Sequence, residues 1–548
     1  MNIMLRITYE CEGSKKYYTG EDGCEDFSVK VDKSSGVYVL IKAFRPIKIS
    51  KAEYIVGYDF TEKSKIMVNG YQSWTDTREF DVNDKLPNIG RLTRLFGGKG
   101  LTAYGDYEFA EYSNKRGFFH GVSYSYVREG NKFTLIGSLN ERTGYTFMYF
   151  DVSAATLRFV KDVEGVTIAG EYELFNVRKY TGTGSEVFDK WFADMKIPAP
   201  RVKHAFGYTS WYNYYTRISQ NLINRDITSF EKHNVVPEIF QIDDGYQTAV
   251  GDWLSLKSEF SDGMRPITDR LHKNGSKAGL WLAPFSAHKN SQLIKDHPDW
   301  LARDSKGKPV FGGLNWGGFY SLDIYNQGVR DYLKKVFDTV FYEWGFDMVK
   351  LDFLYCCCRV PLHGRSRGEI MCDGMDLLRE IIGDKLILGC GVPLWPAFGK
   401  VDFCRTGADV GLKWVELPAE KKMHRERVST VNGVNNTVFR RQLDGRAFVN
   451  DPDVVLIRSY NITMSARKRE LIARINKIFG NLIFVSDDVD RYNEEQWRVY
   501  NYITDGEPIT VHEAYYLNKH DIYVKYTEKG EEHTLIFDVN QGETMKSK

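Results

Sequence analysis

Two charged side chains that could take part in catalysis lie inside an otherwise apolar run. The stretch FDMVKLDFLY (346–355) places Lys350 and Asp352 among apolar neighbours. Residues two apart on a β-strand point to the same side, so the ammonium and the carboxylate share a face. A neighbouring ammonium favours the ionised carboxylate, which is the form that acts as a nucleophile. For this pair alone, a buried ion pair that only stabilises the fold is an equal alternative.

Other apolar runs end in polar and aromatic groups. IDDG ends one run with Asp243 and Asp244, and CRTGAD carries Arg405 and Asp409. Two acids from different strands around a flat aromatic surface are typical of a glycosidase, in which one acid attacks the anomeric carbon and the other protonates the leaving oxygen. Further runs supply the aromatic and hydroxyl groups of this set, namely Ser210, Trp211, Tyr212 and Trp281.

The elements that must position these residues follow a regular pattern. Short apolar runs alternate with amphipathic stretches such as GVRDYLKKVFDTVFYEW, which predicts a parallel sheet. Eight such units in about 290 residues favour a (β/α)8 barrel, whose sites lie at the carboxyl ends of the strands. The runs are AFGYTSW, EIFQID, KAGLWLA, DMVKLD, KLILGC, VDFCRTG, an irregular stretch near FVNDPDVV, and NLIFVSDD.

The two ends of the chain have a different pattern. Period-2 alternation and polar turns in the first 190 or so residues predict an antiparallel β-sandwich. The segment MKIPAPRVK is a plausible connector, and strands return from about residue 496, where EKGEE predicts a hairpin. The predicted domains are an N-terminal β-sandwich (1–195), a catalytic (β/α)8 barrel (196–495) and a small C-terminal β-domain (496–548).

Composition narrows the class of protein. A net charge of +1 gives no reason to expect nucleic acid or an acidic membrane surface as a partner. The eight cysteines lack zinc-site spacing and suit reduced thiols in a cytoplasm. Neither a secretory signal nor a membrane span is expected. The basic run EKKMHRER (420–427) is interpreted as a solvated helix face.

Taken together, these stretches resemble glycoside hydrolase family 36, the α-galactosidase or melibiase family, and in particular its shorter bacterial members. The order and spacing of the stretches carry the resemblance, since any one of them alone is weak. They are NGYQSW (69–74), GYTSWYNYY (207–215), FQIDDGYQ (240–247), GLWLAPF (279–285), DMVKLDFLY (347–355), LGCGVPL (388–394), CRTGADV (404–410) and NDPD (450–453).

The resemblance implies retaining hydrolysis of terminal α-galactosides without a cofactor or metal. It implies that Asp352 is the nucleophile and Asp409 the acid/base, with their carboxyl groups about 5–5.5 Å apart. It further implies that Asp243 and Asp244 bind the axial 4-hydroxyl and the 6-hydroxyl, and that Lys350 and Arg405 bind ring hydroxyls near the nucleophile. Trp281 would stack under the sugar and Trp74 would cap the pocket. Tyr212 and Trp211 would lie near the sugar, and Cys390 and Gly391 near its 2-hydroxyl.

Several expectations stay open. Thr406 and Ala408 depart from the family pattern, which leaves the chemistry intact but puts the shape of that loop in doubt. Asp451 and Asp453 are interpreted as structural. Cys356 to Cys358 are expected to pack under the pocket. Arg359, Arg365 and Arg367 either shape the aglycone side or are plain surface charge, and surface charge is the favoured interpretation.

Three rival functions stay open. They are an α-N-acetylgalactosaminidase, a galactosyl-transferring enzyme and a carbohydrate-binding protein with an inactive barrel. The expected substrate is an α-galactoside oligosaccharide or glycoconjugate, and a homo-oligomer is left open.

Overall fold

Three bodies of β-structure follow one another along the chain. The computed structural model describes residues 4–545, with side chains at every position there except 91, 92, 95–97 and 99. A twelve-stranded sheet comes first, a nine-stranded parallel sheet follows, and a four-stranded antiparallel sheet comes last. Within residues 4–545 no helix is both long and apolar enough to cross a bilayer.

The first body is antiparallel, as its alternating pattern predicted. Its long central strand pairs with four others, and shifts of register in these pairings bend the sheet around its own apolar core. The strands are β1 Met4–Cys11, β2 Ser14–Gly20, β3 Phe27–Asp32, β4 Gly36–Gly57, β5 Lys65–Val68, β6 Arg78–Asp81, β7 Phe118–Val122, β8 Tyr124–Glu129, β9 Lys132–Ser138, β10 Thr146–Asp151, β11 Thr156–Lys161 and β12 Thr167–Gly182.

The second body confirms the predicted (β/α)8 barrel. Its strands are parallel in the order β22-β21-β20-β19-β15-β14-β13-β24-β23, and a separate antiparallel sheet is formed by β16, β18 and β17. The strands are β13 Ala205–Thr209, β14 Ile239–Ile242, β15 Lys277–Leu282, β16 Ser286–His288, β17 Phe311–Gly313, β18 Phe319–Ser321, β19 Met348–Leu351, β20 Leu386–Gly389, β21 Phe403–Arg405, β22 Val449–Asp451, β23 Val454–Val455 and β24 Leu482–Val485.

The irregular stretch near FVNDPDVV is the seventh barrel position. β22 pairs with β21 on one side and β23 pairs with β24 on the other. Pro452 and Asp453 stand between them, and proline lacks the N–H that would continue the ladder. The strand is therefore split, and the split turns Asp453 toward the end of the neighbouring strand β21, where it meets Arg405.

Helices begin at residues that suit an N-cap. Ser219, Ser366, Ser429 and Ser465 each accept a backbone N–H of the first turn of the helix that follows. The α-helices are α1 Arg91–Thr102, α2 Gly184–Met195, α3 Trp211–Tyr214, α4 Gln220–Lys232, α5 Arg265–Lys273, α6 Gln292–Asp296, α7 Gln327–Asp338, α8 Arg367–Ile382, α9 Leu394–Ala397, α10 Thr430–Phe439, α11 Ala466–Phe479 and α12 Glu494–Ile503.

The third body is the antiparallel sheet of β25 Ile509–Tyr516, β26 Asp521–Glu528, β27 Glu531–Asp538 and β28 Glu543–Thr544. The hairpin predicted around EKGEE joins β26 and β27, with Lys529 and Gly530 at positive φ in its turn. Strands resume at Ile509 rather than near residue 496, because α12 occupies the segment between. The predicted domain boundaries themselves stay predictions.

Candidate active site

The carboxylate predicted as the nucleophile lies directly after the fourth barrel strand. β19 carries Lys350, and Asp352 follows the last strand residue. One oxygen, Asp352 Oδ1, accepts the backbone N–H of Phe353 at 2.8 Å, and the other, Oδ2, accepts the indole N–H of Trp281 at 3.1 Å. Phe353 has a φ of +53°, so the chain turns sharply there. The carboxylate is fixed at both oxygens and is only 7% exposed.

Burial and the neighbouring lysine act in opposite directions on Asp352. Burial raises the pKa of Asp352 above its ordinary value, and the Lys350 ammonium opposes that rise without cancelling it. The predicted effect of Lys350 is therefore present but is outweighed. Lys350 bonds to Asp243, with Nζ 2.9 Å from Oδ2. Burial alone would lower the pKa of Lys350, but the carboxylates of Asp243 and Asp352 outweigh it and hold the ammonium charged.

Two adjacent acids follow β14 and have different surroundings. Asp243 Oδ2 accepts Gln241 Nε2 at 2.7 Å besides the lysine, so this carboxylate has a cation as its partner. Asp244 accepts neutral donors, with Gln247 Nε2 2.7 Å from Oδ1 and the indole of Trp316 2.8 Å from Oδ2. Burial raises the pKa of Asp244, and these two hydrogen bonds oppose the rise. Both acids are almost completely buried.

The predicted acid/base stands on a loop after β21. Asp409 Oδ1 lies 3.2 Å from Arg405 Nη2, and its Oδ2 lies 3.2 Å from the indole nitrogen of Trp211. The Asp409 side chain is 32% exposed. Asp453 supports this loop from the split seventh strand: it pairs with Arg405 at 3.0 Å and accepts the backbone N–H of Val410 at 2.8 Å. The hydroxyl of Tyr212 also donates to Asp453.

One cavity of about 380 Å³ gathers most of the predicted site. That volume lies within the range of ligand pockets in proteins. The predicted residues that line it are Trp74, Trp211, Asp243, Asp244, Trp281, Lys350, Asp352 and Asp409. The convergence expected from five separate strand ends and one N-terminal loop is thus present in the structure.

The remaining predicted residues lie one layer behind this lining. Arg405 and Tyr212 meet at Asp453, as described above. Cys390 Sγ accepts the indole N–H of Trp74 at 3.3 Å. Gly391, at a φ of +57°, packs so closely under Trp74 that an added Cβ would lie 2.8 Å from the ring. These residues shape the cavity through the side chains that line it.

Two interpretations of charged segments were wrong. Only Glu420–Lys422 of the basic run form a helical turn. Five residues of the run line the cavity, namely Glu420, Met423, His424, Glu426 and Arg427. Glu426 is buried because it accepts the hydroxyls of Thr75 and Tyr107 from the N-terminal region.

Arg359 and Arg367 are not plain surface charge either. Both are buried, and each forms an ion pair with acids of the N-terminal region: Arg359 with Glu108, and Arg367 with Asp162 and Glu164. Neither lines the cavity. Arg365 is 40% exposed and pairs with Glu369. Cys356 to Cys358 are buried free thiols, and Cys357 and Cys358 lie against Met371.

Sequence reasoning also missed an aromatic wall of the cavity. Its aromatic residues are Tyr104, Trp316 and Phe353, and Asn315 lines the cavity with them. The stretch FGGLNWGGF carried a signal for one of them, since a tryptophan between two pairs of glycines is unusual unless backbone and side chain approach something closely. Tyr104 had no comparable signal, because its place depends on the packing of the N-terminal region against the barrel.

The chain matches a known family and a known fold. Residues 210–362 match the Melibiase family model. A curated relative, an A type blood α-D-galactosamine galactosaminidase of Flavonifractor plautii, is 30% identical over 139 residues, which are 23% of this chain and 13% of the relative. The α-galactosidase Mel36A of Lactobacillus acidophilus is 30% identical over 170 residues, 28% of this chain and 23% of the relative. These alignments thus span less than a quarter of either relative.

Solved structures share the whole architecture. TtGalA, an α-galactosidase from Thermus thermophilus solved with p-nitrophenyl α-D-galactopyranoside, superposes with a TM-score of 0.73 at 23% identity, covering 96% of this chain and 98% of that one. The family 36 α-galactosidase AgaA from Geobacillus stearothermophilus gives a TM-score of 0.60 at 12% identity, covering 97% and 80%. The family-model match over residues 210–362, the two relatives and the shared fold confirm the predicted resemblance to the melibiase family.

Proposed function

We propose that this protein is a retaining, exo-acting α-galactosidase that hydrolyses terminal α-D-galactosides by double displacement. One observation carries the proposal: Asp352 and Asp409, from different barrel strands, line one sugar-sized cavity together with Trp281. Two carboxyl groups beside a single sugar-binding surface are what glycosidic bond cleavage requires, and retention is what the family resemblance implies. The relatives and solved structures named above include α-galactosidases, which supports galactosides as the substrate class.

The first step forms a bond between enzyme and sugar. The ionised carboxylate of Asp352 attacks the anomeric carbon as the bond to the leaving oxygen breaks, and the carboxyl group of Asp409 gives its proton to that oxygen. The hydrogen bonds from Phe353 and Trp281 hold Asp352 in place before substrate arrives. Such preorganisation removes the need to orient the nucleophile during the reaction.

The second step releases the sugar. The carboxylate of Asp409 takes a proton from water, the resulting hydroxide equivalent attacks the anomeric carbon, and the bond to Asp352 breaks. A group that must both give and take a proton benefits from contact with water, and the Asp409 side chain is one third exposed. Arg405 and the Trp211 indole hold the carboxylate without enclosing it.

Selection of galactose would come from buried acids at the other end of the cavity. The epimers galactose and glucose differ at the 4-hydroxyl alone, so discrimination needs a polar partner placed for the axial orientation. Asp243 and Asp244 are such partners, and a substrate that failed to donate to them would leave these buried carboxylates with one hydrogen bond fewer. We infer the exo mode from Trp74, which lines the cavity and packs its ring on Phe353 at 5.0 Å.

An α-N-acetylgalactosaminidase is the second candidate. The galactosaminidase among the relatives acts, by its name, on α-D-galactosamine, which shows that a relative of this chain accepts a nitrogen substituent at the 2-position. The packing around Trp74 argues against this candidate. Under the implied assignment, Cys390 and Gly391 face the 2-position of the sugar, and the close contact of Gly391 with Trp74 leaves little room for an acetamido group on that side. We therefore favour the small 2-hydroxyl of galactose.

Turnover of nitrophenyl α-glycosides tests this choice. We expect release of nitrophenol from the galactoside with a kcat/KM well above that for the N-acetylgalactosaminide, and no release by the Asp352→Gly variant. Faster turnover of the N-acetylgalactosaminide would instead support an α-N-acetylgalactosaminidase. Binding of galactose without turnover of either glycoside would overturn the enzymatic proposal itself.

A further inference from the structure

A tryptophan outside the barrel sheet contacts one of the two sugar-gripping acids. Trp316 lies in the turn between β17 and β18, and its indole N–H donates to Asp244 Oδ2 at 2.8 Å. The ring also packs on Phe353 at 4.8 Å and meets Trp281 at 6.0 Å. Trp316 thus connects the acid at one end of the cavity with the aromatic floor around the nucleophile.

The backbone of this turn is held in an unusual conformation. Trp316 has a φ of +56°, in the left-handed region that a bulky residue rarely adopts. Gly317 and Gly318 follow at +84° and +115°, conformations that glycine adopts readily. Such backbone persists only where the surroundings fix it, and it clusters at ligand-binding sites.

Tyr104 of the N-terminal region supplies that fixation. Its hydroxyl accepts the backbone N–H of Leu314 at 2.8 Å and that of Asn315 at 3.3 Å, and it donates to the side chain of Asn315. Gly313 allows the close approach, since an added Cβ there would lie 2.8 Å from the tyrosine ring. One hydroxyl therefore pins the turn that presents Trp316 to Asp244.

Asp244 depends on this donor because it has no cation of its own. Asp243 is paired with Lys350, whereas none of the ion pairs in the described part of the chain includes Asp244. The charged groups that face it are Asp243, which opposes its ionisation, and Lys257, which favours it from a distance. Trp316 and Gln247 are the side chains that donate to its two oxygens.

We propose that Trp316 is a positioning residue that sets sugar selectivity. By donating its indole N–H to Asp244, it holds this carboxylate in the orientation in which it accepts a hydrogen bond from a substrate hydroxyl. The inference rests on the proposed function, in which Asp243 and Asp244 grip the 4- and 6-hydroxyls. Tyr104 extends this arrangement across the boundary with the N-terminal region, so the selectivity of the barrel depends on a hydroxyl outside it.

The Trp316→Phe variant tests the proposal because it keeps an aromatic ring and removes the N–H. We expect kcat/KM for nitrophenyl α-galactoside to fall about 10–100-fold, the size of a lost hydrogen bond to a charged group. On whichever of the 4-deoxy and 6-deoxy analogues lacks the hydroxyl held by Asp244, the fall should stay under about 3-fold. An equal fall on all three substrates, or no fall on the galactoside, would overturn the proposal.

Two further variants separate the possible causes. Tyr104→Phe should reproduce the same substrate pattern at a smaller size, and unchanged selectivity in it would refute the pinning by Tyr104. Trp300→Phe is the matched control, since Trp300 stacks on His297 outside the cavity and should leave all three rates unchanged. If the wild-type protein fails to hydrolyse the galactoside, the proposed function fails; if it succeeds and Trp316→Phe matches it, only the present inference fails.

Discussion

The two halves of the candidate active-site cavity are built differently. Asp352 follows a barrel strand directly, is 7% exposed and accepts two hydrogen bonds from fixed donors. Asp409 stands four residues beyond the end of β21, its side chain is 32% exposed, and its contacts with Arg405 and Trp211 are both 3.2 Å long.

This difference fits the two tasks. A nucleophile must present one oxygen to one carbon, so a rigid and dry setting serves it. An acid/base must exchange protons with water between the two steps, which an enclosed carboxyl group cannot do easily. The comparison therefore predicts that changes in the Asp352 half should cost more, and should be harder to compensate, than matched changes in the Asp409 half.

Loss of the nucleophile is the largest expected effect. Asp352→Gly should reduce kcat on nitrophenyl α-galactoside by at least about 10⁴-fold, because no covalent intermediate can form. Added azide should enter the vacated space and give the β-galactosyl azide, which product chromatography and NMR would identify. Wild-type activity in this variant, or an α-azide as its product, would remove Asp352 from the nucleophile role.

Loss of the acid/base should cost less. Asp409→Gly is expected to lower kcat/KM about 10²–10⁴-fold on sugars with poor leaving groups, and less on the nitrophenyl substrate, which needs little protonation. Azide should now attack the glycosyl-enzyme and give the α-galactosyl azide. Equal losses across good and poor leaving groups would contradict the assignment of Asp409 as the proton donor.

Removal of the lysine tests the electrostatics of the buried half. Lys350→Met leaves Asp243 as an uncompensated buried charge, so unfolding should become easier by about 3–5 kcal/mol in denaturant titrations. Lys350 also lowers the pKa of Asp352, so its loss raises that pKa further. Because the nucleophile must be ionised, the acidic limb of the kcat/KM profile should move to higher pH.

A lysine directly before the next barrel strand, β20, provides the control. Lys385 pairs with Asp347 at 3.4 Å and is 33% exposed. Lys385→Met should change stability by no more than about 1 kcal/mol and should leave the acidic limb in place. Equal changes in stability and in the acidic limb for Lys350→Met and Lys385→Met would contradict the idea that burial makes the Lys350–Asp243 pair more important than the Lys385–Asp347 pair.

The smallest expected effects come from one chemical change made in each half. Trp281→Phe removes the indole N–H from buried Asp352 and should lower kcat/KM about 10–100-fold. Trp211→Phe removes the equivalent donor from Asp409, which is partly solvated, and should lower it about 2–10-fold. Side-by-side kinetics on one substrate would measure the ratio, and a greater loss in Trp211→Phe would reverse the comparison.

The sequence predicted the residues at the strand ends better than those on the long loops. Barrel strands are short apolar runs between amphipathic helices, and polar residues at their ends must converge at one rim, which placed Asp243, Lys350 and Asp352 correctly in the cavity. The sequence did not predict that burial raises the pKa of Asp352 by more than Lys350 lowers it, because the depth at which a side chain is buried is a property of the packed fold.

Loops were predicted poorly for a physical reason. The run 420–427 was interpreted as a solvated helix face because it carries acids among its basic residues, yet Glu426 accepts hydrogen bonds from Thr75 and Tyr107, more than 300 residues away along the chain. The turn that carries Trp316 likewise depends on Tyr104. Contacts between distant segments fix these positions, and no local pattern encodes them.

The configuration of the first sugar released tests the central claim most directly. Double displacement through Asp352 and Asp409 inverts the anomeric carbon twice, so proton NMR during rapid hydrolysis should show α-galactose first and the β-anomer only later by mutarotation. β-Galactose as the first product would mean that water attacks in a single step, and the roles given to the two acids would be contradicted.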